Sequence, residues 1–152
     1  MTTLDDTDRR ILRILQRHGR ISNADLAVQA NVSSSACHRR VQRMEAEGVI
    51  RDYAAMIDPR HVDRRATVFV EVTLDSQADE TLDEFERAVA LVEDVLECHL
   101  MAGSADYMLK VVAADTEHFA IVHRQLVRLP GVQKMQSSFA MRTVFKTTAL
   151  PV

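Results

Sequence analysis

Three times in the first fifty positions, apolar residues return at helical spacing. Leu4, Ile11, Leu12 and Leu15 form the first stripe. Asp5, Asp6 and Asp8 suit the positive start of that helix, and Gly19 fits just past its end. Ser22 caps a second helix, with Asp25 three residues on and Leu26, Ala27 and Ala30 as its small buried face. From the cap Ser33 a third helix, SSSACHRRVQRMEAEG, runs to Gly48, and the spacing of Cys37, Val41 and Met44 turns them inward. VIRDYAAMIDP (49–59) then suits extended chain closed by Pro59, a strand or hairpin.

After Ala66 the period changes. ATVFVEVTL (66–74) is rich in β-branched residues and partly alternates, as a strand does. ADETLDEFERAVALV carries Leu82, Phe85, Val89 and Val92 on one helical stripe. VLECHLMA and DYMLKVVA read as two strands of a hairpin joined at Gly-Ser-Ala. A second helix starts at the cap Asp115, turns Phe119, Val122, Leu126 and Leu129 inward and stops at Pro130-Gly131; a last strand lies within VQKMQSSFAMRTVFKTT. The order β-α-β-β-α-β predicts a ferredoxin-like sheet with both helices on one face. Apolar residues in both registers, Val68, Val70 and Val72 against Phe69, predict that a second copy covers the other face.

Charge divides the 152-residue chain at the same place. Through Arg65 there are 12 Arg and 9 Asp+Glu, a net +3; from Ala66 on there are 7 Lys+Arg and 13 Asp+Glu, a net −6. A basic front and an acidic rear imply two modules with different partners. No apolar run approaches a membrane span, and the acidic start MTTLDDTDRR does not read as a secretory leader. Cys37 and Cys98 match no metal spacing, so reduced thiols in a cytoplasmic protein are expected. Phosphate loops, zinc motifs and nucleophile elbows are lacking, so neither catalysis, metal nor cofactor is expected. His118 and His123 share too little of a helix face for a metal pair, and Cys98 and His99 point to opposite sides of a strand.

The chemistry lies on the third helix. With Cys37 and Met44 inward, Ser35, Arg39, Gln42 and Ala46 face out, flanked by His38 and Arg43. Such donors read base edges and bind phosphates in a major groove, and the helix pair has helix-turn-helix length. A strand at 49–59 would be the wing, with Arg51 touching DNA or serving only as scaffold.

The string from LDDTDRRIL through GRISNADLA and VSSSACHRRVQRMEAEGVI to IDP resembles the DNA-binding domain of the Lrp/AsnC (leucine-responsive/asparagine-regulator) family. VLECHLMAGSADYMLKV and LVRLPGV resemble that family's regulatory domain, which is related to ACT domains and called RAM-type. Two departures stand out: Ser34 replaces the usual Pro after the cap serine, and Ser104-Ala105 replaces an Asp-aromatic pair. The resemblance implies an α+β chain: a winged helix-turn-helix over 1–58, a linker over 59–65, a ferredoxin-like effector and oligomerisation domain over 66–146, and a tail over 147–152. It further implies a non-enzymatic, sequence-specific regulator of transcription that dimerises, assembles further to an octamer, and binds double-stranded DNA and a free amino acid. The DNA-binding set is Ser22, Asn23, Ser33, Ser34, Ser35, His38, Arg39, Arg40, Gln42 and Arg43.

An amino-acid receptor needs an anion for the ammonium and backbone donors for the carboxylate. Asp106 is expected to supply the first and the turn at Gly103 and Ser104 the second. Ser137 or Ser138 adds hydroxyls, and Leu100, Met101 and Ala102 line the side-chain pocket. Gly-Ser-x-Asp is also ordinary turn chemistry. On the receptor reading, Asp106→Ala abolishes the effector response and leaves the fold intact. Two other functions fit the same modules: an architectural protein that wraps DNA without sensing a ligand, and a metabolic regulatory subunit.

Overall fold

The computed structural model describes residues 3–152, in two compact units. One runs as far as Met56 and also takes in Phe145–Val152; the other is Ile57–Val144.

The first unit contains α1 (Asp6–Leu15), α2 (Asn23–Ala30) and α3 (Ser34–Ala46). Each begins at a side-chain cap, which satisfies amides that have no partner inside the helix. Asp5 accepts from Asp8 N at 2.8 Å, and Asp8 accepts in return from Asp5 N at 3.2 Å, a reciprocal box built from two aspartates. Ser22 and Ser33 accept from Asp25 N and Ala36 N. Asn31 takes the left-handed conformation (φ 56°) between α2 and α3, so the link needs only three residues. Ile11, Leu12, Leu26, Ala27, Ala30, Cys37 and Met44 form the core. Gly19 does not cap α1, which ends sooner: His18 N bonds to Ile14 O and the chain turns there.

The strand expected within 49–59 does not form among the described residues. Val49 and Ile50 fold back, both amides donating to Met44 O, and residues 51–58 then form neither helix nor strand. A strand is defined by its partner, and Tyr53, Met56 and Ile57 are left exposed. Pro59–Val62 make a single 3₁₀ turn capped by Asp58.

The second unit has the expected order: β1 (Ala66–Leu74), α4 (Asp79–Val89), β2 (Val95–Leu100), β3 (Tyr107–Ala113), α5 (Thr116–Val127) and β4 (Val132–Phe139). The sheet order is β2-β3-β1-β4, antiparallel throughout. Val68, Val70, Val72 and Leu74 face α4 and α5 and pack with Leu109, Val111, Phe85, Val89, Phe119, Val122 and Leu126. Gly131 ends the α5–β4 link at φ +71°, and a Cβ there would come within 2.7 Å of Thr81 Cγ2.

The helix-free face departs from expectation. Positions alternate with the core, so it carries Phe69, Glu71 and Thr73 of β1, Met108 and Lys110 of β3, and Lys134, Gln136 and Ser138 of β4. Phe69, Met108 and Val112 are thus apolar positions within a mixed surface. The remaining positions of that register are polar or charged, so the face is less apolar than Phe69 alone suggests.

Candidate nucleic-acid face and effector loop

On α3, burial divides the side chains as the helical period requires. Cys37 and Met44 are fully enclosed, whereas Ser35, His38, Arg39, Gln42 and Ala46 are exposed. Burial pushes the Cys37 thiol upward, which keeps it protonated and inert. His38, Arg39 and Gln42 make no side-chain hydrogen bond among the described residues, so their donors are open to a ligand.

Arg40 and Arg43 are not open in this way. Arg40 Nη1 donates to Asp5 Oδ2 at 2.7 Å and to Asp8 Oδ1 at 2.8 Å, and Arg43 Nη2 donates to Asp8 Oδ2 at 2.6 Å. Asp8 is completely buried. Burial alone would raise its pKa, but the hydrogen bonds from Arg40 and Arg43 outweigh it and hold the carboxyl below the usual range. The aspartates that cap α1 therefore also tie its first turn to α3. Sequence reasoning assigned them to the helix dipole alone, because nothing local links Asp8 to residues 32 and 35 positions away.

The hydroxyl and amide members of the expected DNA set have internal partners as well. Ser22 Oγ donates to Asp25 Oδ2 at 2.6 Å. Asn23 Nδ2 donates to Ser34 O at 3.0 Å and Ser34 Oγ at 2.8 Å, joining the start of α2 to that of α3. Ser33 and Ser35 exchange a hydroxyl contact at 3.3 Å. These contacts join the start of α3 to α2 and to its own cap; His38, Arg39 and Gln42 form its free outer surface.

In the second unit, the β2–β3 connection is a six-residue loop, Met101–Asp106, longer than the turn expected. Leu100, Met101, Ala102, Gly103 and Ser104 are exposed. Gly103 is not in the left-handed region, and an added Cβ would meet nothing within 4 Å. Asp106 is 9% exposed and fully engaged. Its Oδ2 accepts from Leu74 N and its Oδ1 from Gln77 Nε2, both at 2.8 Å; its own amide donates to Val72 O, and its carbonyl accepts from Met101 N. Both carboxylate oxygens, expected to face an ammonium, instead fasten the loop to the β1–α4 connection. Gln77 was not singled out by any sequence pattern.

Ser137 and Ser138 do not join this loop within one chain. They pair with Val70 and Phe69 on β4, two strands from β3, on the order of 10 Å away. Consecutive in a strand, they also face opposite sides of the sheet. Beside the loop, a cleft of about 370 Å³ between α4 and β2 is lined by Leu100, Glu86, Cys98 and Tyr107. Tyr107 OH donates to Glu86 Oε1 at 2.8 Å. Desolvation, helped by the Glu86 carboxylate, pushes the Cys98 thiol up to about 11. As expected, Cys98 pairs with Leu109 on the helix side while His99 pairs with Met108 on the other. The described residues hold no cluster of three side chains fit for a metal, and none of their helices is long and apolar enough to cross a membrane.

Residues 4–51 match a family model of a winged helix-turn-helix DNA-binding domain, and residues 67–150 match the Lrp/AsnC ligand binding domain. The chain is 37% identical over 150 residues to the leucine-responsive regulatory protein of Escherichia coli strain K12, covering 98% of this chain and 92% of that one. Its fold is similar to an AsnC family transcriptional regulator from Agrobacterium tumefaciens (TM-score 0.94, 37% identity, 97% of both chains). It is also similar to a Neisseria meningitidis transcriptional regulator in complex with L-methionine (TM-score 0.93, 35% identity, 98% of this chain and 97% of that one).

Proposed function

This chain belongs to the Lrp/AsnC family of DNA-binding transcription regulators, and from that premise we propose how its two units divide the work. α3 enters the major groove with Arg39 on a guanine or phosphate and His38 and Gln42 at base edges, while Ser35 contacts the backbone. Arg40 and Arg43 act through Asp8 to hold α3 against α1. The observation that carries this reading is the division of α3 into an outer face without internal partners and an arginine pair committed to buried Asp8. Two copies present their α3 helices to half-sites about one helical turn apart, roughly 34 Å or a multiple. A gel-shift series with the protein's own upstream region tests this. Sequence-selective complexes that Arg39→Ala weakens and Arg51→Ala spares support it; no selective complex overturns it.

The effector is a free amino acid with an apolar side chain, in keeping with the methionine held by the Neisseria relative and the name of the leucine-responsive one. It docks at the exposed loop Leu100–Ser104, where Leu100 and Met101 offer apolar surface. Asp106 is a positioning residue that keeps the loop's shape. Ser137 or Ser138 reaches the ligand from a second chain, so the site requires an assembly, with an octamer as the proposed full form. One observation favours the reading of a DNA-wrapping protein without a ligand: the loop offers no free charge, since both Asp106 oxygens are engaged and Ser104-Ala105 are neutral. Isothermal titration against the twenty amino acids separates the two. Heat at millimolar methionine or leucine supports sensing, and none for any amino acid supports the wrapping protein.

A further inference from the structure

After β4 the chain does not end its structural role in the second unit. Phe145–Val152 belongs to the first unit, where Leu150 and Val152 bond to Arg13 and Gln16 at the end of α1. Gln16 grips Leu150 with both ends of its amide: Leu150 N donates to Oε1 at 2.5 Å, and Nε2 donates to Leu150 O at 3.1 Å. One turn earlier, Arg13 Nε donates to Val152 O at 2.6 Å. Arg13 and Gln16 stand three apart on one face of α1, and their targets two apart on extended chain, so the two repeats match. Val152 packs against the first unit's core, whereas the Leu150 side chain stays 71% exposed. A cleft of about 670 Å³ lies beside this seat, walled by Leu4, Leu12, Leu15, Val49, Ile50 and Tyr53, with Leu150 and Val152 on the tail side.

We propose that Phe145–Val152 is a strap that α1 of the DNA-binding unit binds as an internal ligand, through hydrogen bonds between the side chains of Arg13 and Gln16 and the strap's backbone, and through the partly buried side chain of Val152. The polypeptide thus leaves the DNA-binding unit after Met56 and re-enters it at Phe145. Seating removes apolar surface of Leu12, Leu15 and Val49 from water and adds three hydrogen bonds, so the strap orders α1 and the segment 49–53.

Amide hydrogen exchange by NMR on the full chain, Gln16→Ala, Val152→Asp and a chain lacking residues 145–152 tests this. The Leu150 amide is expected to exchange at least about tenfold slower in the full chain than in either point variant. Amides of α1 and 49–53 are expected to lose protection in the shortened chain. A synthetic peptide of residues 145–152, added to the shortened chain, restores it, and a scrambled peptide does not. Leu150 exchanging at the free-peptide rate in the full chain overturns the proposal, as does equal protection of α1 and 49–53 with and without the strap. Should the shortened chain fail to fold, Gln16→Ala alone decides: unchanged Leu150 exchange in that variant overturns the proposal.

Discussion

Asp8 shows how one residue can serve a helix start and a helix pair at once. Its side chain closes the cap on Asp5 and accepts from two arginines of α3, with no exposed surface of its own. Removing it leaves Asp5 N and the Arg43 guanidinium without their partner, and leaves Arg40 only its bond to Asp5. We expect Asp8→Ala to cost about 2–4 kcal/mol, toward the low end because both arginines reach solvent, as measured by urea unfolding. The pH dependence follows from a folded-state pKa below the unfolded value of about 3.9. Asp8 stabilises the fold fully above that value, and the contribution disappears as pH falls through the lower folded value. An acid titration of stability in which Asp8→Asn and the parent run parallel below pH 4 would refute this. Asp106 makes a second case. Its replacement by alanine leaves Leu74 N buried without an acceptor, so thermal unfolding of the second unit should show a loss of about 1–3 kcal/mol. A lost effector response in Asp106→Ala would by itself not identify a ligand contact, and Gln77→Ala is the informative companion. It removes one of the two bonds while leaving the Leu74 amide satisfied.

At the scale of elements, glycine separates shape from space. Gly131 combines a left-handed backbone with a Thr81 methyl at 2.7 Å from where a Cβ would sit, so Gly131→Ala should cost about 1–2 kcal/mol in denaturant unfolding. Gly103→Ala has open space and an ordinary backbone and should leave stability unchanged in the same assay. The helices of both units and the strands of the second were readable in the sequence because one-sided burial imposes a period: Phe85 and Val89, or Val68, Val70 and Val72, report their own environment. Caps such as Ser33 and Asp115 were readable for the same local reason. What could not be read was long-range pairing. Residues 51–58 have strand composition but no ladder partner among the described residues, and nothing in VLECHLMAGSADYM says that the Asp106 carboxylate turns inward to Leu74 and Gln77. The candidate DNA face was legible as a direction on α3; which of its arginines were already engaged depended on Asp5 and Asp8, a helix away.

For the whole molecule, the open face of the sheet is the surface through which we expect copies to meet. Phe69 stands 41% exposed beside Met108, in a field that also carries Glu71, Lys110 and Lys134. A surface of this kind suits an interface in which apolar contact is bounded by charge. Phe69→Asp should leave the monomer's core untouched, because the side chain lies on the face away from α4 and α5. It should lower the assembly's mass in analytical ultracentrifugation. A parent-like sedimentation profile for a folded Phe69→Asp chain would place the interface elsewhere.

The salt bridges under α3 also change how the protein's electrostatics should be counted. α3 bears three arginines, yet Arg40 and Arg43 have already exchanged solvent counterions for Asp5 and Asp8 before any DNA arrives. Only a free cation displaces an ion from the DNA when it lands on a phosphate. In a plot of log affinity against log salt concentration, Arg39→Ala should therefore flatten the slope by about one unit if its contact is to a phosphate. Arg43→Ala should leave the slope nearly as it was while lowering stability. If Arg43→Ala instead flattens the slope as much as Arg39→Ala, Asp8 surrenders its arginine on binding, and the helix pair is a latch that DNA opens.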